Sequence, residues 1–146
     1  MDNVIAEIQV SYSTNSKIRQ YISNSHSAYE VLQSSWYAGR MELQEEFKVL
    51  LLNRANQVLG IYNLSKGGVS GTVVDLKLLF GVVLKANASG IVICHNHPSG
   101  KLVPSEADEK ITRKIKDTCK LFDIHFIDHI IISHLGYFSF TDSNIN

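Results

Sequence analysis

Apolar and polar positions alternate over Glu7 to Ser13, which predicts a first strand; from Ser27 to Gly39 the residues Tyr29, Leu32, Trp36 and Tyr37 recur at helical spacing before a glycine stop. After the acidic stretch Glu42 to Glu46, the apolar runs FKVLLLN and VLGIYNL flank the polar segment Arg54 to Gln57, the pattern of a β-hairpin. Lys66 to Gly71 reads as a glycine-rich loop. Thr72 and Asp75 then have capping-box spacing, and LKLLFGVVLKANA is apolar nearly all round, as a helix buried between layers is. IVIC predicts a short, fully apolar strand that runs straight into the proline- and glycine-punctuated segment His95 to Pro104. Ser105 opens another capped helix, with the stripe Ala107, Ile111, Ile115, Thr118 and Phe122. Ile124 to Ser133 is a long β-branched strand, with Tyr137 to Phe140 as its partner after a turn at Gly136. Strands and helices intermixed around a hairpin predict a mixed α/β (α+β) sandwich whose sheet is mostly antiparallel.

Length and composition narrow the function classes. The 146 residues, 45% of them apolar, predict one domain over 1–146 that needs neither disulfide nor metal to hold its core, so a metal here would serve chemistry. Fourteen Lys+Arg balance fourteen Asp+Glu, without the cationic excess that drives binding to phosphate backbones. Cys94 and Cys119 fit neither a disulfide framework nor a CxxC zinc pattern, which points to a reducing compartment. MDNVIAEIQV lacks a basic stretch leading into an apolar region, and no apolar run approaches the roughly 20 residues that span a bilayer. The expectation is a cytoplasmic protein with no membrane partner.

The chemistry concentrates in His95-Asn96-His97-Pro98, followed by Ser105 and Asp108. In an extended segment, residues i and i+2 point to the same side roughly 6 to 7 Å apart, so both imidazoles can converge on one ion. Asp108, on the first turn of the next helix, can add an oxygen. Three protein ligands and a water are the pattern of a catalytic zinc site, whereas structural sites close with four ligands and favour cysteine. Ser105-x-x-Asp108 is equally a capping box, and a carboxylate committed to a metal is not expected to reach the cap backbone as well. The two readings compete at Asp108. The letters HNH do not make a nuclease site, which needs residues from two strands and a helix, and a zinc deaminase would require His-x-Glu and a later Pro-Cys-x-x-Cys.

The spacing His95-x-His97-Pro98, six residues, Ser105, two residues, Asp108 resembles the JAMM zinc metalloprotease superfamily. HNHPSG and PSEAD, with Ser70 to Thr72 upstream and DHIII at Asp128 to Ile132 downstream, resemble its RadC-like JAB/MPN branch over about residues 45–133. The resemblance implies a cytidine-deaminase-like sandwich, one zinc ion on His95, His97 and Asp108, and Ser105 supporting a reacting oxyanion. It also implies a general base two residues before the phenylalanine that opens a strand, here Glu45 before Phe47; strand alternation would put Glu46 on the opposite side. Glu46 and Glu42 otherwise read as an acidic surface. The implied reaction is hydrolysis of a peptide or isopeptide bond in a peptide or protein substrate. The alternatives are a DNA-repair-associated accessory protein, since RadC-like proteins are named for DNA repair, and a noncatalytic metal-binding scaffold; the helix-hairpin-helix region of longer members is not expected here, and the neutral charge gives the DNA reading no support.

Other residues have plainer readings. Cys94 should point away from His95 as a buried thiol rather than a ligand. His125, Asp128 and His129 fall in an apolar strand and suit structural or hydrogen-bonding roles better than a second metal site. Gly67, Gly68 and Gly71 lack the Lys-Ser/Thr of a phosphate loop but stand where a substrate contact is expected. The lysines and arginine of the 105–122 helix are diluted by Glu106, Asp108, Glu109 and Asp117 into a solvated face.

Overall fold

The computed structural model describes residues 5–9, 11–14, 19–67 and 74–145. In chain order the elements are α1 (Ser25–Ser35), a 3-10 turn (Ala38–Arg40), β1 (Glu46–Leu52), β2 (Val58–Lys66), α2 (Leu76–Lys85), β3 (Gly90–Asn96), α3 (Glu106–Leu121), β4 (His125–Ser133) and β5 (Gly136–Ser139). The strands form one sheet in the order β2-β1-β3-β4-β5. Only β3 and β4 pair in parallel; the other neighbours are antiparallel. The fold is thus the mixed α+β sandwich expected, with helices on both faces of a mostly antiparallel sheet.

The apolar runs of β1 and β3 are buried along their whole length because both faces of the sheet are covered. Phe47, Val49, Leu51, Ile91 and Ile93 pack under α2 and α3 together with Leu79, Val83, Ile115 and Cys119. Leu50, Leu52, Val92, Cys94, Ile130 and Ile132 pack on the opposite face against Ala28, Leu32 and Trp36 from the α1 region. The parallel β3–β4 pair follows from the intervening α3, since parallel neighbours need a crossover long enough to hold a helix. The loop between β3 and α3 therefore emerges at the C-terminal end of a central strand, carrying the metal-type motif with it.

Several sequence expectations are corrected. The described residues of Glu7 to Ser13 form no strand: the pattern alternates, but no partner strand pairs with it, and these residues are exposed. The first helix begins earlier, capped by Asn24, whose side chain accepts from Ser27 N (2.8 Å), and it ends at Ser35, so Gly39 lies inside the 3-10 turn instead of stopping the helix. Thr72 lies outside the described residues, and the cap of α2 is Asp75, which accepts from Leu78 N. α2 covers one face of the sheet rather than lying between two layers, leaving Leu78 and Leu84 42% and 49% exposed. The buried stripe of α3 is Thr112, Ile115 and Cys119, with Ala107 and Phe122 exposed. The helix sits rotated from the predicted face because its docking against β4 brings Thr112 to His129. No helix among the described residues is long and apolar enough to cross a membrane.

Candidate metal centre

His95 is the penultimate residue of β3, and His97 lies just past its end. The His97 amide still donates to the Ile132 carbonyl of β4 (2.9 Å), so the extended path continues and both rings emerge on one side. A turn then closes from Gly100 N to His97 O (2.9 Å), with Pro98 at its first central position. Gly100 takes φ +90°, and a Cβ there would lie 2.7 Å from the His134 ring, so this corner needs glycine. The chain next enters α3, where Ser105 Oγ accepts from Asp108 N (3.0 Å) and Asp108 Oδ2 accepts from Ser105 N (2.8 Å).

The capping box delivers Asp108 to the histidines. Its Oδ1 lies 3.2 Å from His95 Nε2 and its Oδ2 lies 3.2 Å from His97 Nε2, while the two Nε2 atoms are 3.0 Å apart. The capping reading of Asp108 holds, and it does not exclude the other, because a carboxylate offers two oxygens and about four lone-pair sites. His95, His97 and Asp108 have donor atoms within 4.8 Å of one another and could hold a metal ion. The donor set fits such an ion. His97 Nδ1 lies 2.8 Å from the Lys101 carbonyl, which only accepts, so Nδ1 carries the hydrogen and Nε2 turns a lone pair toward the group.

Charge in the centre follows from these contacts. Burial opposes ionisation of Asp108, but the adjacent His95 and His97 rings and the hydrogen bond from the Ser105 backbone outweigh it and hold its pKa far below the usual carboxylate range. The Asp108 carboxylate beside it raises the His97 pKa, against the opposing effect of burial. Burial raises the Glu45 pKa, partly offset by His95 and His97.

Glu45 lies immediately before β1 and lines one cavity with Phe47, Val74, His95, Ala107, Asp108 and Ile111. Phe47 pairs with His95 across β1 and β3, which accounts for the placement of Glu45 two positions earlier on the same side. Glu46 points the other way and is buried, with Oε1 3.9 Å from Lys66 Nζ, rather than part of a solvated surface. Glu42 is exposed, with Oε1 3.2 Å from His134 Nδ1. Ser105 is exposed, and because its oxygen accepts from Asp108 N, its own hydroxyl hydrogen is left to donate. Gly68, Gly71 and Ser70 to Thr72 lie outside the described residues.

Asn96, Thr112 and His129, polar residues buried behind the site, have partners that a local reading does not show. Asn96, fully buried on the face opposite the histidines, accepts from Glu46 N (2.7 Å) and donates through Nδ2 to the carbonyls of Met41 (2.7 Å) and Gln44 (2.9 Å). It therefore anchors the segment that presents Glu45. His129, also fully buried, lies with Nε2 2.7 Å from His95 Nδ1 and Nδ1 2.5 Å from Thr112 Oγ1. Burial, reinforced by His95, pushes the His129 pKa well below the ordinary histidine value and keeps the ring neutral. A histidine inside an apolar strand was the one available hint, since such a ring needs partners. His125 is exposed, and Asp128 accepts from Ser139, Thr141 and His129, so the hydrogen-bonding reading of this strand holds for Asp128 and His129. Cys94 is buried on the α1 face, away from the histidines.

The sequence matches a family described as RadC-like JAB domain over residues 22–145. A UPF0758 protein of Flavobacterium johnsoniae is 44% identical over 124 residues, which cover 85% of this chain and 53% of that protein. The UPF0758 protein of Porphyromonas gingivalis is 42% identical over 103 residues (70% and 45%), and that of Thermotoga maritima is 32% identical over 126 residues (86% and 55%). The chain spans about half the length of the curated relatives it matches.

Proposed function

Because this chain belongs to the RadC-like JAB domain family, we propose that it is a zinc-dependent hydrolase that cleaves a peptide or isopeptide bond in a peptide or protein substrate. The observation that carries this reading is the convergence of His95 Nε2, His97 Nε2 and Asp108 beside a cavity that Glu45 also lines. Held there, a zinc ion would supply Lewis acidity and make a nearby water easier to deprotonate at neutral pH. His95, His97 and Asp108 would hold the ion. Glu45, its carboxylate made more basic by burial, takes the proton of the attacking water and returns it to the leaving amine. Ser105, its oxygen already engaged by the Asp108 amide, donates its hydroxyl hydrogen to the developing oxyanion. The apolar side of the cavity, Phe47, Val74 and Ile111, limits water around the reacting group.

Elemental analysis of the purified protein should give about one zinc per chain, lost in a His95→Ala, His97→Ala double variant; undiminished zinc in that variant would refute the ligand set. A peptide and isopeptide library screen then supplies a substrate. With it, Glu45→Gln should keep zinc and lose about 10² to 10⁴ in rate, and Glu46→Gln, facing the other side of the sheet, should be mild. Full activity in both variants would place the base elsewhere and refute this mechanism, and a screen that yields no substrate for the zinc-loaded protein would refute the hydrolase reading.

A further inference from the structure

The His95 ring is joined to two groups that cannot reach an ion bound at its Nε2. Thr112 Oγ1 lies 2.6 Å from the Asp108 carbonyl, and a carbonyl only accepts, so the threonine hydrogen is committed there. At its 2.5 Å contact with His129 Nδ1, Thr112 must therefore accept; the fully buried His129 ring, whose nitrogens meet only Thr112 and His95 and no carboxylate, is an uncharged imidazole whose single hydrogen is then on Nδ1. His129 Nε2 is then a lone pair, and at 2.7 Å it accepts from His95 Nδ1. One direction runs through the whole chain, and its end is a His95 ring with hydrogen on Nδ1 and a lone pair on Nε2, aimed at Asp108 and His97. The rings are held in plane as well. Phe140 stacks on His129 at 4.5 Å and 6°, and Phe47 lies parallel to His95 at 5.9 Å and 3°.

We propose that Thr112 and His129 are positioning residues that fix His95 in its metal-binding tautomer, with the Asp108 backbone carbonyl setting the direction of the chain. Asp108 thereby acts twice, through its carboxylate on the metal side and through its backbone on the tautomer of a second ligand. His97 reaches the same state by a shorter route, a single bond to the Lys101 carbonyl. This inference rests on the metal reading above, and it adds two residues that contact no metal. Removing the Thr112 hydroxyl frees His129 to carry its hydrogen on Nε2, which opposes the His95 Nδ1 hydrogen and favours the His95 tautomer that cannot ligate. Partners of ligating histidines typically alter metal affinity by about 10- to 100-fold.

The test compares Thr112→Val, equal in shape but without the hydroxyl, with Thr112→Ser, which keeps it, by titrating the metal-free proteins with zinc at pH 7.5 and following folding by circular dichroism. Thr112→Val should bind zinc about 10- to 100-fold more weakly than wild type and Thr112→Ser within about threefold. His129→Gln, whose amide oxygen can accept from His95, should bind more tightly than His129→Leu. Long-range ¹H–¹⁵N spectra of the metal-free wild type above pH 8 should show His95 protonated on Nδ1, a readout that needs neither zinc nor a folded variant. Equal zinc affinity in a folded Thr112→Val, or His95 protonated on Nε2 in wild type, would overturn the proposal. If the wild type itself fails to bind zinc, the metal reading fails, while the tautomer spectrum still decides the hydrogen-bond chain.

Discussion

Replacing Asn96 with aspartate changes one NH₂ into one oxygen and almost nothing in volume. In the native site Nδ2 donates to two carbonyls, Met41 at 2.7 Å and Gln44 at 2.9 Å, while Oδ1 accepts from Glu46 N at 2.7 Å. The substitution keeps the acceptor and sets an oxygen against two carbonyl oxygens in a position with no solvent access. Two buried hydrogen bonds are lost and their acceptors left bare, at about 1 to 3 kcal/mol each. The new carboxyl escapes part of this by staying protonated, which preserves one donor, so its pKa in the folded state rises above its unfolded value of about 3.9. A raised folded pKa means that the native state holds the extra proton, so the variant is least destabilised near pH 4 and loses stability as pH rises toward 7.5. The expected cost is about 3 to 5 kcal/mol at pH 7.5 and about half that at pH 4.5. At roughly 3 °C per kcal/mol for a chain of this size, the melting temperature at pH 7.5 should fall by about 10 to 15 °C. Guanidinium denaturation at both pH values measures the difference, with Asn96→Ala as the control whose cost should not vary with pH. An Asn96→Asp variant within 1 kcal/mol of wild type at pH 7.5 would show that another contact holds the 41–45 segment and that Asn96 does not position Glu45.

Burial raises the Cys119 thiol pKa to about 11 and that of Cys94 further still, so neither is appreciably thiolate below pH 9; both should resist Ellman's reagent in native protein at pH 8 and react on unfolding, and a prompt native reaction would contradict their burial. Gly100→Ala forces a side chain into φ +90° against the His134 ring and should cost about 1 to 3 kcal/mol by denaturant titration, whereas a neutral result would mean that the turn after His97 relaxes freely. With balanced charge, duplex DNA should bind only weakly at physiological salt; a submicromolar dissociation constant by fluorescence anisotropy would reveal a cationic face.

Much of the sheet and the grouping of His95, His97 and Asp108 could be read locally. The two β1–β2 runs flank a polar turn, β3 is apolar throughout because both its faces are covered, and the two-residue period of a strand suffices to put His95 and His97 on one side. Other features depended on what each segment met in space. Alternation over Glu7 to Ser13 predicted a strand, yet strands are made by partners, and the described residues there have none in a ladder. The buried face of α3 is set by its docking on β4, which turns Thr112 inward and Ala107 outward. Asp108 looked like either a cap or a ligand because sequence assigns a side chain one role at a time, while the folded carboxylate has an oxygen for each histidine and a lone pair for the Ser105 amide. Asn96 and His129 draw their meaning from partners 50 or more and 34 residues away, to Glu46 and Met41 in the first case and His95 in the second. Hydrogen bonds of that span leave no period in a sequence, because their direction is fixed only when the backbone brings a group that can only accept within reach of one that must donate.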